Sequence, residues 1–351
     1  MTGVVCFLLK MRHFCSKIGY VFEKKEVKMS EDILEKQLFE IINDKKMSEE
    51  IKLAKIDMLV RLGVKSYTRD ENRTTALMYA CQMGHKKIAE FLISKRADVN
   101  AKNDKGLRAI HLASEKGYKE VVELLIQNKA EIDAKDNEGN TALIEASGKG
   151  RKDVAKLLIE KGADINAKTN NGVSVIHFAS ENIYKEIVEL LISKGADVNA
   201  TNDIGTMWSP LMCAAYYGHK EVAELLIKNG ADVNTSEQEE GKTALMIASV
   251  RGRRDTVELL IKYGADVNAM KKNGRTALMM AADEGHAWVV DVLIANGANV
   301  NAKSVTGDTA MKLAKDERTR KAIIKAVEER NRNSFLGKIK IGLGLDNKKR
   351  G

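Results

Sequence analysis

The chain repeats itself. The signature Thr-Ala-Leu-x-x-Ala, or a close variant, begins at Thr75, Arg108, Thr141, Ser174, Ser209, Thr243, Thr276 and Thr309, in steps of 33, 33, 33, 35, 34, 33 and 33 residues. A second signature, Gly-Ala-Asp-Val-Asn-Ala, keeps the same phase, as at Gly195–Ala200 and Gly264–Ala269. Two independent motifs in one register over most of the chain argue against an ordinary compact domain. A unit this small cannot bury its own apolar face, so each unit must stack on its neighbours.

The residues of one unit spell out its local structure. Thr141 is an N-cap hydroxyl opening a short helix, and in the fifth unit Ser209 is followed by Pro210, the chain's only proline, at a position where a missing N–H costs nothing. Glycine then breaks the helix at Gly84, Gly117, Gly150, Gly218, Gly252 and Gly285. A second helix follows, as in Lys119–Ile126, with apolar residues on more than one stripe and hence burial on both sides. Gly162 and its equivalents supply a left-handed C-cap, and stretches such as Asp136–Gly139 turn the chain into the next unit.

This pattern resembles the ankyrin repeat, with its Thr-Pro-Leu-His opening, Gly-His break and Gly-Ala-Asp-Val-Asn close. The resemblance implies an all-α solenoid of stacked helix–turn–helix units with β-turn or hairpin connections. It divides the chain into an extension at 1–28, a helical cap at 29–69, seven repeats at 70–303, a capping repeat at 304–330 and a basic, disordered tail at 331–351. Ala replaces the family's Pro in most units. Met78, Met212, Met246, Met279 and Met311 stand where the family usually has a His that bonds the signature Thr. Those five units are expected to lack that bond and to substitute apolar packing.

Net charge is +9, but it is concentrated at the ends. Residues 318–351 carry +8 and residues 1–28 carry +4, which leaves −3 for residues 29–317. The basic balance therefore does not argue for nucleic-acid binding by the repeats. Cys81 and Cys213 fall in the first helices of units four apart, too distant to pair, and Cys6 and Cys15 lie in the extension. Reduced thiols in a cytoplasmic setting are the expected reading, with secretion as an effector lacking a classical signal peptide as the alternative. The apolar run Val4–Leu9 is too short to span a bilayer. Lys25-Glu26-Val27 can be encoded by a bacterial ribosome-binding sequence, which places the expected translation start at Met29.

No catalytic constellation emerges. His85, His219 and His286 belong to the Gly-His break, and His111 and His177 hold the fourth signature position, so a structural role is favoured for all five. Cys81 and His85 share a helix face, but two ligands without partners are a weak metal signal. Gly342-x-Gly344 is half a dinucleotide fingerprint without its strand–helix context. The chain is read as non-enzymatic, with no cofactor, no metal and a monomeric state.

By the resemblance, function lies on the concave face of the first helices and at the turn tips, where a protein partner binds. Most of these positions are small or charged, as at Gln82, Asp104, Glu115, Lys116, Glu138 and Lys149. The fifth unit differs: its turn is two residues longer and carries Met207 and Trp208, and its first helix ends in Tyr216 and Tyr217. Together with Arg251 these four form the expected partner-binding set, because Trp, Tyr and Arg dominate interface hot spots. Two readings of Trp208 stand: an anchor projecting toward a partner, or a filler of the space the insertion makes. If the aromatics are filler, charged tips such as Glu239, Glu240, Lys272 and Arg275 become the candidate surface.

Three further expectations follow. Trp288, where other units have Glu120, Asp153 or Glu186, should pack toward a neighbouring layer. Ile183 replaces the break glycine of unit four, so that turn should be remodelled, with Asn182 taking the strain. The tail, with Ile339, Ile341, Leu343 and Leu345 alternating, is expected to be disordered when free. Its alternatives are an added strand on a partner or a weak dock on an acidic membrane. The main functional expectation is a protein-binding scaffold; the alternative is an effector module whose basic tail does the targeting.

Overall fold

The computed structural model describes residues 31–202 and 207–342. The extension at 1–28, with Cys6 and Cys15, and the end of the tail at 343–351 lie outside the described residues. Two helices, Glu31–Asn43 and Glu49–Arg61, precede seven helix pairs that run from Ala76–Gln82 with Lys86–Ser94 to Ala277–Glu284 with Ala287–Ala295. A short helix, Ala310–Leu313, and a long one, Glu317–Gly342, close the stack. First helices pack on first helices and second on second, unit after unit, so the order in space is the order in sequence. Among the described residues there is no strand, only isolated bridges such as Lys168 to Ser174 and Met270 to Thr276 at the unit junctions.

Each first helix starts where its cap requires. The hydroxyls of Thr75, Thr141 and Ser209 accept from the N–H three residues on, at 3.2, 3.3 and 3.4 Å. Arg108 has no hydroxyl to offer, and there the bond runs in reverse: its N–H donates to His111 Nδ1 at 3.0 Å. The ring then donates from Nε2 to the Ala134 carbonyl of the next unit, at 2.8 Å, which fixes its tautomer and ties two layers together. Met78 partly replaces that histidine, its sulfur accepting the Thr75 N–H at 3.4 Å.

The core is a ladder of leucines. Leu92, Leu125, Leu158, Leu191, Leu226, Leu260 and Leu293 recur once per unit on the second helices and are all fully buried. Each contributes roughly 1.5–3 kcal/mol by leaving water. The Asn of the Asp-Val-Asn signature provides a polar ladder beside it. Asn199 Oδ1 accepts the Asp232 N–H at 2.9 Å while its amide donates to the Gly230 carbonyl, also at 2.9 Å. Asn234 repeats this toward Asp266 and Gly264.

The break positions join layers too. A Cβ at Gly84 would lie 2.7 Å from the Tyr118 ring of the next unit, so this glycine serves close approach as well as its φ of 76°. At four of the seven breaks the residue that follows donates to a carbonyl near the end of the preceding unit's first helix. His219 Nε2 reaches the Glu181 carbonyl at 2.9 Å and His286 the Val250 carbonyl at 3.1 Å. Arg151 and Arg253 do the same through Nε, to Glu115 and Tyr216 at 2.9 and 3.2 Å.

Two expectations change and one holds in part. The turn at Ile183 is not remodelled: Ile183 itself takes the left-handed conformation, φ 59°, while Asn182 stays at φ −112°. Both flanking helices are held by their neighbours, so the turn keeps its geometry whatever residue occupies it, and the side chain escapes to solvent at 56% exposure. Trp288 meets both neighbouring layers, as expected, but without being buried by them. It is 56% exposed, with the Arg254 and Arg318 guanidinium groups 5.3 and 5.0 Å from its rings. The backbone of residues 331–342 continues the last helix rather than being irregular or extended. Adding residues to a helix already formed at Glu317 avoids the cost of a new nucleus.

Candidate partner-binding groove

The concave face of units three to five holds an open groove of about 1160 Å³. Its floor is set by the fifth residue of each signature: Glu145 in unit three, Phe178 in unit four and Cys213 in unit five. The helix ends flank it, with Gly148 and Lys149, Glu181 and Asn182, then Tyr216 and Tyr217. Leu112 and Glu115 continue the same two rows into unit two, beside Asp104 and Asp136.

Four of the five expected partner-binding residues meet at the unit-five end. Trp208 and Tyr216 have ring centroids 5.5 Å apart, tilted by 53°, and Tyr216 meets Tyr217 edge-on at 5.0 Å. Arg251, from the next unit, lays its guanidinium 4.4 Å over the Tyr216 ring. Tyr217 stacks on His219 at 5.8 Å and donates its hydroxyl to Glu181 Oε1 at 2.6 Å. That bond, with burial, pushes the phenol up to about 12. Met207 is half-buried with φ 46°, and it does not line the groove.

Trp208 does not project as a free anchor. Its backbone is clamped, the N–H donating to Asn202 Oδ1 at 3.0 Å and the carbonyl accepting from His177 Nε2 at 2.9 Å. Trp208 and Tyr216 pack partly against the core, and Tyr217 is the most open of the three at 39% exposure. Trp208 lies against Tyr216 near the helix end, so part of its surface fills space and part faces the groove.

The other end of the groove is acidic. Asp136 is occupied, accepting the Glu138 and Asn140 N–H groups at 2.9 and 2.8 Å. Glu181 is engaged by Tyr217. Glu145 is half-buried, and among the described residues its carboxylate has no hydrogen bond or ion pair. Burial pushes its pKa up, Glu115, Asp136 and Glu138 add to the rise, and Lys149 opposes it. Sequence reasoning passed over Glu145, Phe178 and Glu181. The signal was present: Glu145 is an acid where the matching residues of neighbouring units are Leu112, Phe178, Cys213 and Ile247.

Other reactive residues are quiet. Cys213 is 9% exposed and burial pushes its thiol up to about 12, while Cys81 is fully buried with its thiol pushed up the same way. His85 accepts from Lys52 Nζ at 2.8 Å, and Lys52 also donates to the Ile42 carbonyl at 2.9 Å. Among the described residues no three His, Cys, Asp or Glu side chains gather in a way that could hold a metal, and no helix is long and apolar enough to cross a membrane. The charged tips are largely satisfied within the chain. Glu240 pairs with Lys242 and Lys271, Arg275 with Asp283, and Lys272 Nζ donates to the Gln238 carbonyl at 2.6 Å.

A family model described as ankyrin repeats in three copies matches the chain over residues 48–136, 110–202, 176–271 and 211–304. Among solved structures, the crystal structure of the human ASB11 ankyrin repeat domain is similar, with a TM-score of 0.58 and 26% sequence identity, covering 62% of this chain and 96% of that one. The search of curated proteins finds no match.

Proposed function

The chain belongs to the ankyrin-repeat family, and on that premise we propose that it is a scaffold that binds a protein partner in the concave groove of units three to five. Ankyrin repeats are protein–protein interaction modules, and the fold is that of a non-enzymatic scaffold family. The observation that carries the reading is the aromatic group Trp208, Tyr216 and Tyr217 at one end of the groove, half open and backed by rigid helices. Aromatics of this kind release most binding energy when a partner completes their desolvation. Free, buried Cys81 and Cys213 support a reducing compartment such as the cytoplasm.

Tyr217→Ala is the cleanest test, because Trp208 and Tyr216 also support the fold. After the partner is identified by crosslinking in the native cell, Tyr217→Ala should weaken its binding by about 2 kcal/mol. Unfolding stability should fall by no more than about 1 kcal/mol. Unchanged binding would sink the reading. A second reading, in which the basic tail recruits the partner, draws on the +8 charge of residues 318–351. Truncation after Glu329 discriminates: loss of the partner on truncation, with Tyr217→Ala silent, favours the tail.

A further inference from the structure

A half-buried carboxylate without a partner destabilises a free fold unless something compensates it. Glu145 is such a group, on a row that is otherwise apolar in the adjoining units, at Leu112, Phe178 and Cys213. Its surroundings deepen the problem. Glu138 lies on one side, with Glu115 beyond it paired to Lys116, and Glu181 lies on the other; among the described residues Lys149 is the only cation lining the main groove, with Lys105 at its unit-two extension. A concave surface with this excess of one sign focuses a negative field inward. Toward unit five the lining turns aromatic, with Phe178 on the floor and Trp208 and Tyr216 at the end. One of those rings already holds a guanidinium face-on, that of Arg251. An acid beside aromatic rings is complementary to one kind of side chain: a cation on an apolar stem.

We propose that the groove receives a basic segment of a partner protein, one Arg or Lys of which pairs with Glu145 while its stem and an adjoining apolar residue lie against Phe178 and Trp208. This inference rests on the groove being the partner surface. It assigns the acid and the aromatics separate tasks. Glu145 selects charge, and the aromatics supply contact area. An anionic partner, whether acidic peptide, nucleic acid or anionic lipid, is repelled by the same field. Pairing would also complete the charge compensation that Lys149 supplies only in part, so Glu145 lowers the stability of the empty groove and strengthens the filled one.

The test is selection of a random-peptide phage library on the full chain, followed by affinity measurement of a recovered peptide by fluorescence anisotropy. Recovered peptides should carry Arg or Lys next to an apolar residue, and their affinity should fall as salt rises. Glu145→Gln should weaken them about ten-fold or more, since it removes one member of a partly desolvated charge pair. The same variant should melt no lower than the parent. The carboxyl pKa is raised in the fold, so at neutral pH its ionised form opposes folding, and Gln removes that opposition. Uncharged or acidic peptides that bind with dependence on Tyr217 would overturn this inference and leave the groove reading standing. Peptides indifferent to both Tyr217 and Glu145 would overturn both. A gain of about ten-fold in peptide affinity on truncation after Glu329 would show that the chain's own basic tail fills the groove, and would overturn assignment to a partner.

Discussion

Left-handed backbone closes the turns of this solenoid, and the residue at each such position decides how much strain the turn retains. Glycine holds most of them, but Arg96, Lys129 and Ile183 sit at φ 67°, 65° and 59°. A side chain there crowds the backbone, and a β-branched one crowds it most. Ile183 gains nothing in return, because its side chain is exposed. Ile183→Gly should therefore stabilise the protein by about 1 kcal/mol, after the entropy that glycine loses on folding is set against the strain relieved. Arg96→Gly and Lys129→Gly should give about half as much. Urea unfolding reads this directly, and a midpoint for Ile183→Gly at or below the parent's would refute it. The break residue itself was legible in the sequence, but its conformation was not. A propensity argument moves strain to the residue best able to bear it, here Asn182. The stack instead fixes which residue must turn, and Asn182 spends its amide on the Phe178 carbonyl at 3.0 Å.

Within the helices, the caps and boundaries follow from local chemistry, and the sequence shows them: a hydroxyl, three residues to the bonded N–H, a glycine at the end. What lies between elements was less visible. The donations from His219, His286, Arg151 and Arg253 to the preceding unit make sense of why His and Arg interchange after the break, yet they appear only when two units are superposed in space. The same holds for the groove: Trp208, Tyr216 and Tyr217 stand out by type, whereas Glu145 matters for what its row contains in neighbouring units. Another interhelix row carries a cost. Ser114, Ser147, Ser180 and Ser249 occupy the seventh signature position, fully buried, with hydroxyls that find no partner. Cys81, Ala215 and Ala282 fill the same position elsewhere, so a small side chain without a hydroxyl fits. Ser147→Ala and Ser249→Ala should each stabilise the fold by about 0.5–1 kcal/mol, by removing a desolvated group that makes no bond. A loss of melting temperature in both would mean that the hydroxyls are bonded after all.

Across the whole molecule these small penalties are unevenly spread. Arg96, Lys129 and Ile183 fall in units one, two and four. Unit two also buries Arg108, which pairs with Glu131 but leaves Nε unpartnered, and unit three holds Glu145, whose charge Lys149 only partly offsets. Three of the four orphan serine hydroxyls lie in units two to four. Units five to seven carry less: Met207 at φ 46°, the hydroxyls of Ser249 and Thr256, and Nε of Arg275. In a solenoid each unit touches only its neighbours, so stability is nearly a sum of local terms and local deficits are not averaged away. Hydrogen exchange of the free protein should accordingly show units one to four opening before units five to seven, with a difference of about 1–3 kcal/mol in opening free energy. The groove straddles that boundary, with units three and four on the weaker side. A bound segment contacts only the folded form, so saturation should slow exchange most in units three and four and narrow the gap. Uniform exchange along the free array would contradict the argument, because it would mean that the stack unfolds as one unit despite contacts limited to adjacent layers.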